Sequence, residues 1–71
     1  MKLAQLSPGE LAMIVNIHGG RGFKQKLALK GITENCIVRI ISSHGRITLE
    51  VNRNTVSIGR GMAAKIRVRR I

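Results

Sequence analysis

The chain has 71 residues, 44% of them hydrophobic, and carries 13 Lys+Arg against 3 Asp+Glu for a formal net charge of +10. A chain this short buries only about 60% of the surface its unfolded form exposes, so a single domain spanning residues 1–71 with a thin core is expected, and the apolar content excludes a disordered tail. One cysteine, Cys36, excludes an internal disulfide and a paired-cysteine zinc site, and no run approaches the about 18 apolar residues of a spanning helix.

The opening "MKLAQLSPGE" reaches Ser-Pro-Gly before a signal-peptide core can develop, so a cytoplasmic protein without membrane insertion is expected. In the next stretch, "ELAMIVNIHG", Leu11, Met13, Val15 and Ile17 alternate with smaller or polar residues, the pattern of a half-buried strand with those four facing inward. "GGRG" then frees the backbone to redirect. A short helix follows, with Phe23, Leu27 and Lys30 on one face, Leu29 beside it, and Lys24 and Gln25 toward water. Gly31 stands where a left-handed residue closes a helix, and Ile32 can pack back onto the last turn.

"NCIVRIIS" is the second strand, with Cys36, Val38 and Ile40 on one face and Ile37, Arg39 and Ile41 on the other, as in a central, bent strand. "SHGR" makes a tight turn at Gly45. "ITLEVN" alternates with Ile47, Leu49 and Val51 inward, and Asn52 to Asn54 turn the chain into "TVSI", with Val56 and Ile58 inward. "GRGMAAK" is expected to form one helical turn before "IRVRR", with Ile66 and Val68 inward and Arg67 and Arg69 outward. Five such short strands, with one short helix between the first and second, avoid open edges by closing into a small barrel.

The chemistry is sparse. Ser7, Ser42, Ser43 and Ser57 have no His–Asp pairing, there is no aspartate, and the three glutamates lie on separate elements, so catalysis is not expected. "GRGMAA" from Gly59 to Ala64 matches G-x-G-x-x-A but lacks the βαβ context and the downstream acid that dinucleotide binding requires, leaving at most a weak anion site helped by Arg60. Cys36, His18, His44, Glu10, Glu34 and Glu50 fall at no recognised metal-ligand spacing. The charge is uneven: Glu50 is the last acid, and six cations from Arg53 to Arg70 follow it. Such a field favours polyanions or acidic protein faces.

"LSPGE", the apolar strand, "GG", "KLALKGI" and the closing "VSIGRGMAAKIRV" together resemble the FeoA family over essentially the full length. The most specific element is the helix-to-strand passage through Leu27, Leu29, Gly31 and Ile32; the closing pattern falls on Ala63, Ile66 and Val68. Two features depart from the family: Glu34-Asn35 stands where many members have Pro-Gly, and "SSHGR" is shorter than the usual loop. The resemblance implies an SH3-like β-barrel, also found as a C-terminal domain on iron-dependent repressors. It implies a non-enzymatic accessory role in ferrous iron uptake, without a cofactor of its own, through contact with the FeoB membrane transporter and its cytosolic GTP-binding region. Iron handling through a partner does not itself require that this chain bind the metal. Electrostatic complementarity to an acidic partner singles out Arg21, Lys24, Lys26 and Lys30 around the helix as contact residues. A basic SH3-like nucleic-acid-binding module is the alternative, weakened by the single aromatic, Phe23; self-association through a strand edge is a third.

Overall fold

The computed structural model describes residues 1–71 and is mainly β. A 3-10 turn over Leu3–Gln5 precedes β1 (Leu11–Ile17), α1 (Arg21–Leu29), β2 (Ile37–Ser42), β3 (Ile47–Val51), β4 (Asn54–Ile58), α2 (Arg60–Ala63) and β5 (Ile66–Arg70). The strands form one antiparallel sheet in the order β4-β3-β2-β1-β5. The helix and the helical turn at Arg60–Ala63 stand where the sequence placed them, and the 3-10 turn at Leu3–Gln5 is a third helical piece that it did not.

The cleanest alternation gives the most regular pairing. Ile47, Leu49 and Val51 of β3 are all buried, and the hairpin to β4 closes through Asn52 and Arg53 at φ of +51° and +67°. Two consecutive left-handed residues are the turn whose twist suits a two-residue hairpin. Asn35, standing where Pro-Gly is common, also adopts a positive φ, +74°, which asparagine tolerates better than most residues.

Strand β1 corrects the expected inward face. Ala12, Ile14 and Ile17 are buried, whereas Leu11 and Val15 are 40% and 41% exposed. The cause is register. Ala12 pairs with the inward Val38, and Ile14 with the inward Val68; a bulge between Ile14 and Asn16 then restores Ile17 to the core. A bulge adds one residue and so reverses the alternation.

The expected closed barrel is also corrected: β4 and β5 are the two ends of an open sheet. The N-terminal segment occupies the edge of β5 that closure would have used. The Val68 N–H donates to the Met1 carbonyl at 2.8 Å, the Met1 ammonium donates back to the Val68 carbonyl at 3.3 Å, and Lys2 bridges to Arg67. Covering an edge with another segment relieves the same unpaired groups that closure would relieve.

The core comprises sixteen buried residues, all hydrophobic, and includes Leu3 and Leu6 from the N-terminal segment. Leu27 of α1 is fully buried and Phe23 packs against the core, while Leu29 is 89% exposed rather than beside the buried face. The helix ends in a Schellman arrangement: the Gly31 N–H donates to the Ala28 carbonyl and the Ile32 N–H to the Leu27 carbonyl, both at 2.9 Å. Gly31 has φ +87°, and a methyl there would meet Val51 Cγ1 at 3.7 Å and Asn52 Nδ2 at 4.0 Å, both ordinary contacts. Gly31→Ala should therefore cost only the left-handed backbone strain, about 1–2 kcal/mol, and Gly31→Asn less; urea unfolding of the two variants checks the order.

Glu10 ties the start of β1 to the end of β5. Its carboxylate accepts from the Ser7 N–H and from Arg70 Nε, each at 2.6 Å. The Ser7 hydrogen bond first and the Arg70 hydrogen bond second hold its pKa below the ordinary 4.5. A carboxyl lowered on folding stabilises the native state above its unfolded pKa, and that contribution disappears as pH falls through the folded pKa. Glu10→Gln should lower stability at neutral pH and flatten the acid limb of the stability profile below about pH 4.5, as read by unfolding at a series of pH values.

Candidate docking surface around α1

Helix α1 begins without help from its own sequence. Gly20 is the N-cap with no side-chain cap bond, and the first turn contains no acid. Arg21 and Lys24 instead stand near the positive end of the helix dipole, where a cation is unfavourable by about 0.3–1 kcal/mol. An anionic group from a partner would relieve that arrangement.

Arg21, Lys24, Gln25 and Ala28 recur at helical spacing along one face, and this face borders a shallow cleft of about 270 Å³. Ile17 and Ile32, both buried, form its floor, and Thr33 and Glu34 bound the other side. The Glu34 carboxylate accepts from the Ile17 N–H at 3.3 Å, so the one acid in the cleft is held by backbone. Of the four contact residues expected from sequence, the structure brings Arg21 and Lys24 together on the cleft. Lys26 and Lys30 are exposed one turn apart on another stripe of the helix, away from the lining. Glu34 was not legible as a site residue: it lies thirteen positions from Arg21, and only the fold makes them neighbours.

Other candidate sites disperse. His18, His44, Cys36 and the three glutamates form no group of three that could hold a metal. The Cys36 thiol lies 3.0 Å from Thr33 Oγ1 and donates to the Gly31 carbonyl at 3.6 Å, inside the loop that follows α1. The Arg60 guanidinium, considered for an anion site, donates to the Ser43 carbonyl at 3.0 Å and the Gly45 carbonyl at 3.5 Å, clamping α2 to the β2–β3 turn. The single aromatic is engaged as well, with Lys65 Nζ 5.1 Å from the Phe23 ring centroid.

The fold and these surfaces define a small SH3-like β module that offers surfaces rather than a convergent chemical centre. The chain belongs to the FeoA family: the FeoA domain model matches residues 1–70. Among solved structures it is similar to an iron uptake regulatory protein (FeoA) at 33% identity, covering 99% of this chain and 95% of that one with a TM-score of 0.92. It is also similar to iron(II) transport protein A from Clostridium thermocellum, at 21% identity, 100% of this chain, 46% of that one and TM-score 0.91. A third likeness is to IdeR of T. acidophilum, at 22% identity, 100% of this chain, 34% of that one and TM-score 0.93. The last two show the shared fold alone. No match was found among curated proteins.

The position of α1 depends on Gly19. A methyl there would lie 2.7 Å from Phe23 Cδ2, at a backbone φ of +152°. Gly19→Ala should displace the ring and cost about 1–3 kcal/mol, with loss of the Lys65–Phe23 contact; thermal unfolding together with the Phe23 ring resonances checks both.

Proposed function

We propose that this chain is a non-enzymatic accessory protein of ferrous iron transport, acting by contact with the cytosolic GTP-binding region of a FeoB-type membrane transporter. Membership of the FeoA family carries this reading, supported by the near full-length likeness to the FeoA crystal structure. No helix is long and apolar enough to cross a membrane, so the protein would reach such a transporter through a surface.

The cationic side of α1 is the proposed contact. Arg21 and Lys24 edge the cleft, Lys26 and Lys30 extend the positive field along the helix, and none of the four has an acid partner, since Glu10–Arg70 is the only salt bridge. An acidic partner face would gain from all four and relieve the uncompensated start of the helix.

The triple charge reversal Lys24→Glu, Lys26→Glu and Lys30→Glu involves exposed side chains and should leave the fold intact. It should weaken binding to the GTP-binding region by about tenfold or more, mainly through slower association. A titration at low and moderate salt checks it, with a mixed RNA and DNA pool as the second arm. Unchanged affinity would place the contact elsewhere. Tight nucleic-acid binding with a steep salt slope and no transporter binding would replace the reading altogether.

A further inference from the structure

The sheet face turned away from the core carries an apolar stripe that the chain leaves largely open, with Met13 half-buried and Leu11, Ile37 and Ile71 exposed. Met13 of β1 stands directly opposite Ile37 of β2, which is 56% exposed. Leu11 is the next outward residue on β1, and Ile71 continues the row beyond β5, its N–H donating to the Leu11 carbonyl at 3.3 Å. Adjacent exposed apolar side chains on one face mark an interaction surface, whereas scattered ones do not.

Arginines flank this stripe on both sides. Arg39 lies on β2 opposite Leu11, and Arg69 and Arg67 lie on β5 opposite Met13 and Asn16. All three are exposed, and none forms a salt bridge. Glu50, across from Arg39, is the only acid paired into this face. The cations here are arginines throughout, whereas the α1 surface mixes Arg21 with three lysines, and a guanidinium fork suits bidentate binding of carboxylates.

We propose that this face docks an amphipathic helix of a partner protein whose polar flanks are acidic. The spacing fits. Strands β2 and β5 lie on either side of β1, so their arginines stand roughly 10 Å apart across the stripe, about the diameter of an α-helix. A helix lying along β1 would seat its apolar side on Leu11, Met13 and Ile37 while its acids face Arg39 on one flank and Arg67 and Arg69 on the other.

Other occupants fit less well. A second copy of this chain would set the three arginines against their own equivalents in a self-complementary interface. A lipid surface is poorly matched, because the chain has no Trp or Tyr and its one Phe packs against the core. Nucleic acid would gain nothing from the leucine–isoleucine stripe. This surface is separate from the α1 contact, and its use does not depend on the function proposed above.

The test is an amide-resolved NMR titration of the full chain with a synthetic amphipathic helix of about five turns, bearing a leucine stripe flanked by glutamates. A copy with lysine in place of glutamate serves as control. The expected result is saturable binding to the acidic peptide only, with shifts centred on Leu11, Met13, Ile37 and Arg69. Ile37→Ser and the pair Arg39→Glu/Arg69→Glu should each weaken it about tenfold or more; both change exposed side chains, and the amide spectrum verifies their fold. Shifts centred on α1, or affinity unchanged in both well-folded variants, would overturn the proposal. So would failure of the acidic peptide to bind, and engagement of the same residues by phosphatidylglycerol–phosphatidylcholine vesicles, RNA or a second copy of the chain would then name the occupant instead. The shift map of the unmodified protein decides the matter even if a variant fails to fold.

Discussion

Strand β1 is hydrogen-bonded along both edges, to β2 and to β5, and the phase of that double pairing governs the rest of the molecule. With Ala12 against Val38 and Ile14 against Val68, the core face is fixed. The bulge before Asn16 then lets Ile17 point inward as well. A one-residue slip would send Leu11, Met13 and Val15 into the core and expel Ala12 and Ile14. Ala12, Ile14 and Ile17 are taken inward, and Leu11 and Val15 are left outside. The exposed apolar stripe is thus a direct consequence of the register that builds the core.

The same economy explains the open sheet. Sixteen apolar residues form the buried core, with no polar side chain among them, and two come from the segment before β1. Leu3 and Leu6 can reach that core only if the N-terminal segment runs along β5, where Met1 and Lys2 take up the backbone groups of Val68 and Arg67. Fully burying a leucine contributes about 1.5–3 kcal/mol, a large gain for a protein of this size. Edge protection and core completion are therefore achieved by one segment, and pairing β5 with β4 would compete with both.

Much of this was legible in the sequence. The β3–β4 hairpin, the burial of Ile66 and Val68, the helical turn at Arg60–Ala63 and the reversal at Gly31 follow from local patterns, because each is decided by residues a few positions apart. The face of β1 was not, since both phases of "LAMIVNI" contain apolar residues and only the pairing partners choose between them. The occupied edge of β5 was hidden for the same reason: Met1 and Val68 lie 67 positions apart. At the candidate site, the positive character of α1 was readable as composition. The division between cleft-lining Arg21 and Lys24 and outlying Lys26 and Lys30 required the position of the helix over Ile17 and Ile32.

The two basic surfaces differ in their cations, since the sheet face carries arginines alone and the helix mixes Arg21 with lysines. Lys24 and Lys26 on α1 and Lys30 at its C-cap are exposed on long flexible stems, where they extend a positive field with little demand on geometry. Arginines Arg39, Arg67 and Arg69 project from paired strands, where the pleat fixes their spacing and the neighbouring apolar residues exclude water from an approaching surface. Arg70, the one cation of β5 aligned with the inward Ala12, is instead consumed by Glu10. A long-range field speeds encounter, whereas spaced forks beside an apolar stripe select for shape and charge together. On the contacts proposed above, the two basic surfaces would differ in kind, the helix attracting and the sheet face discriminating.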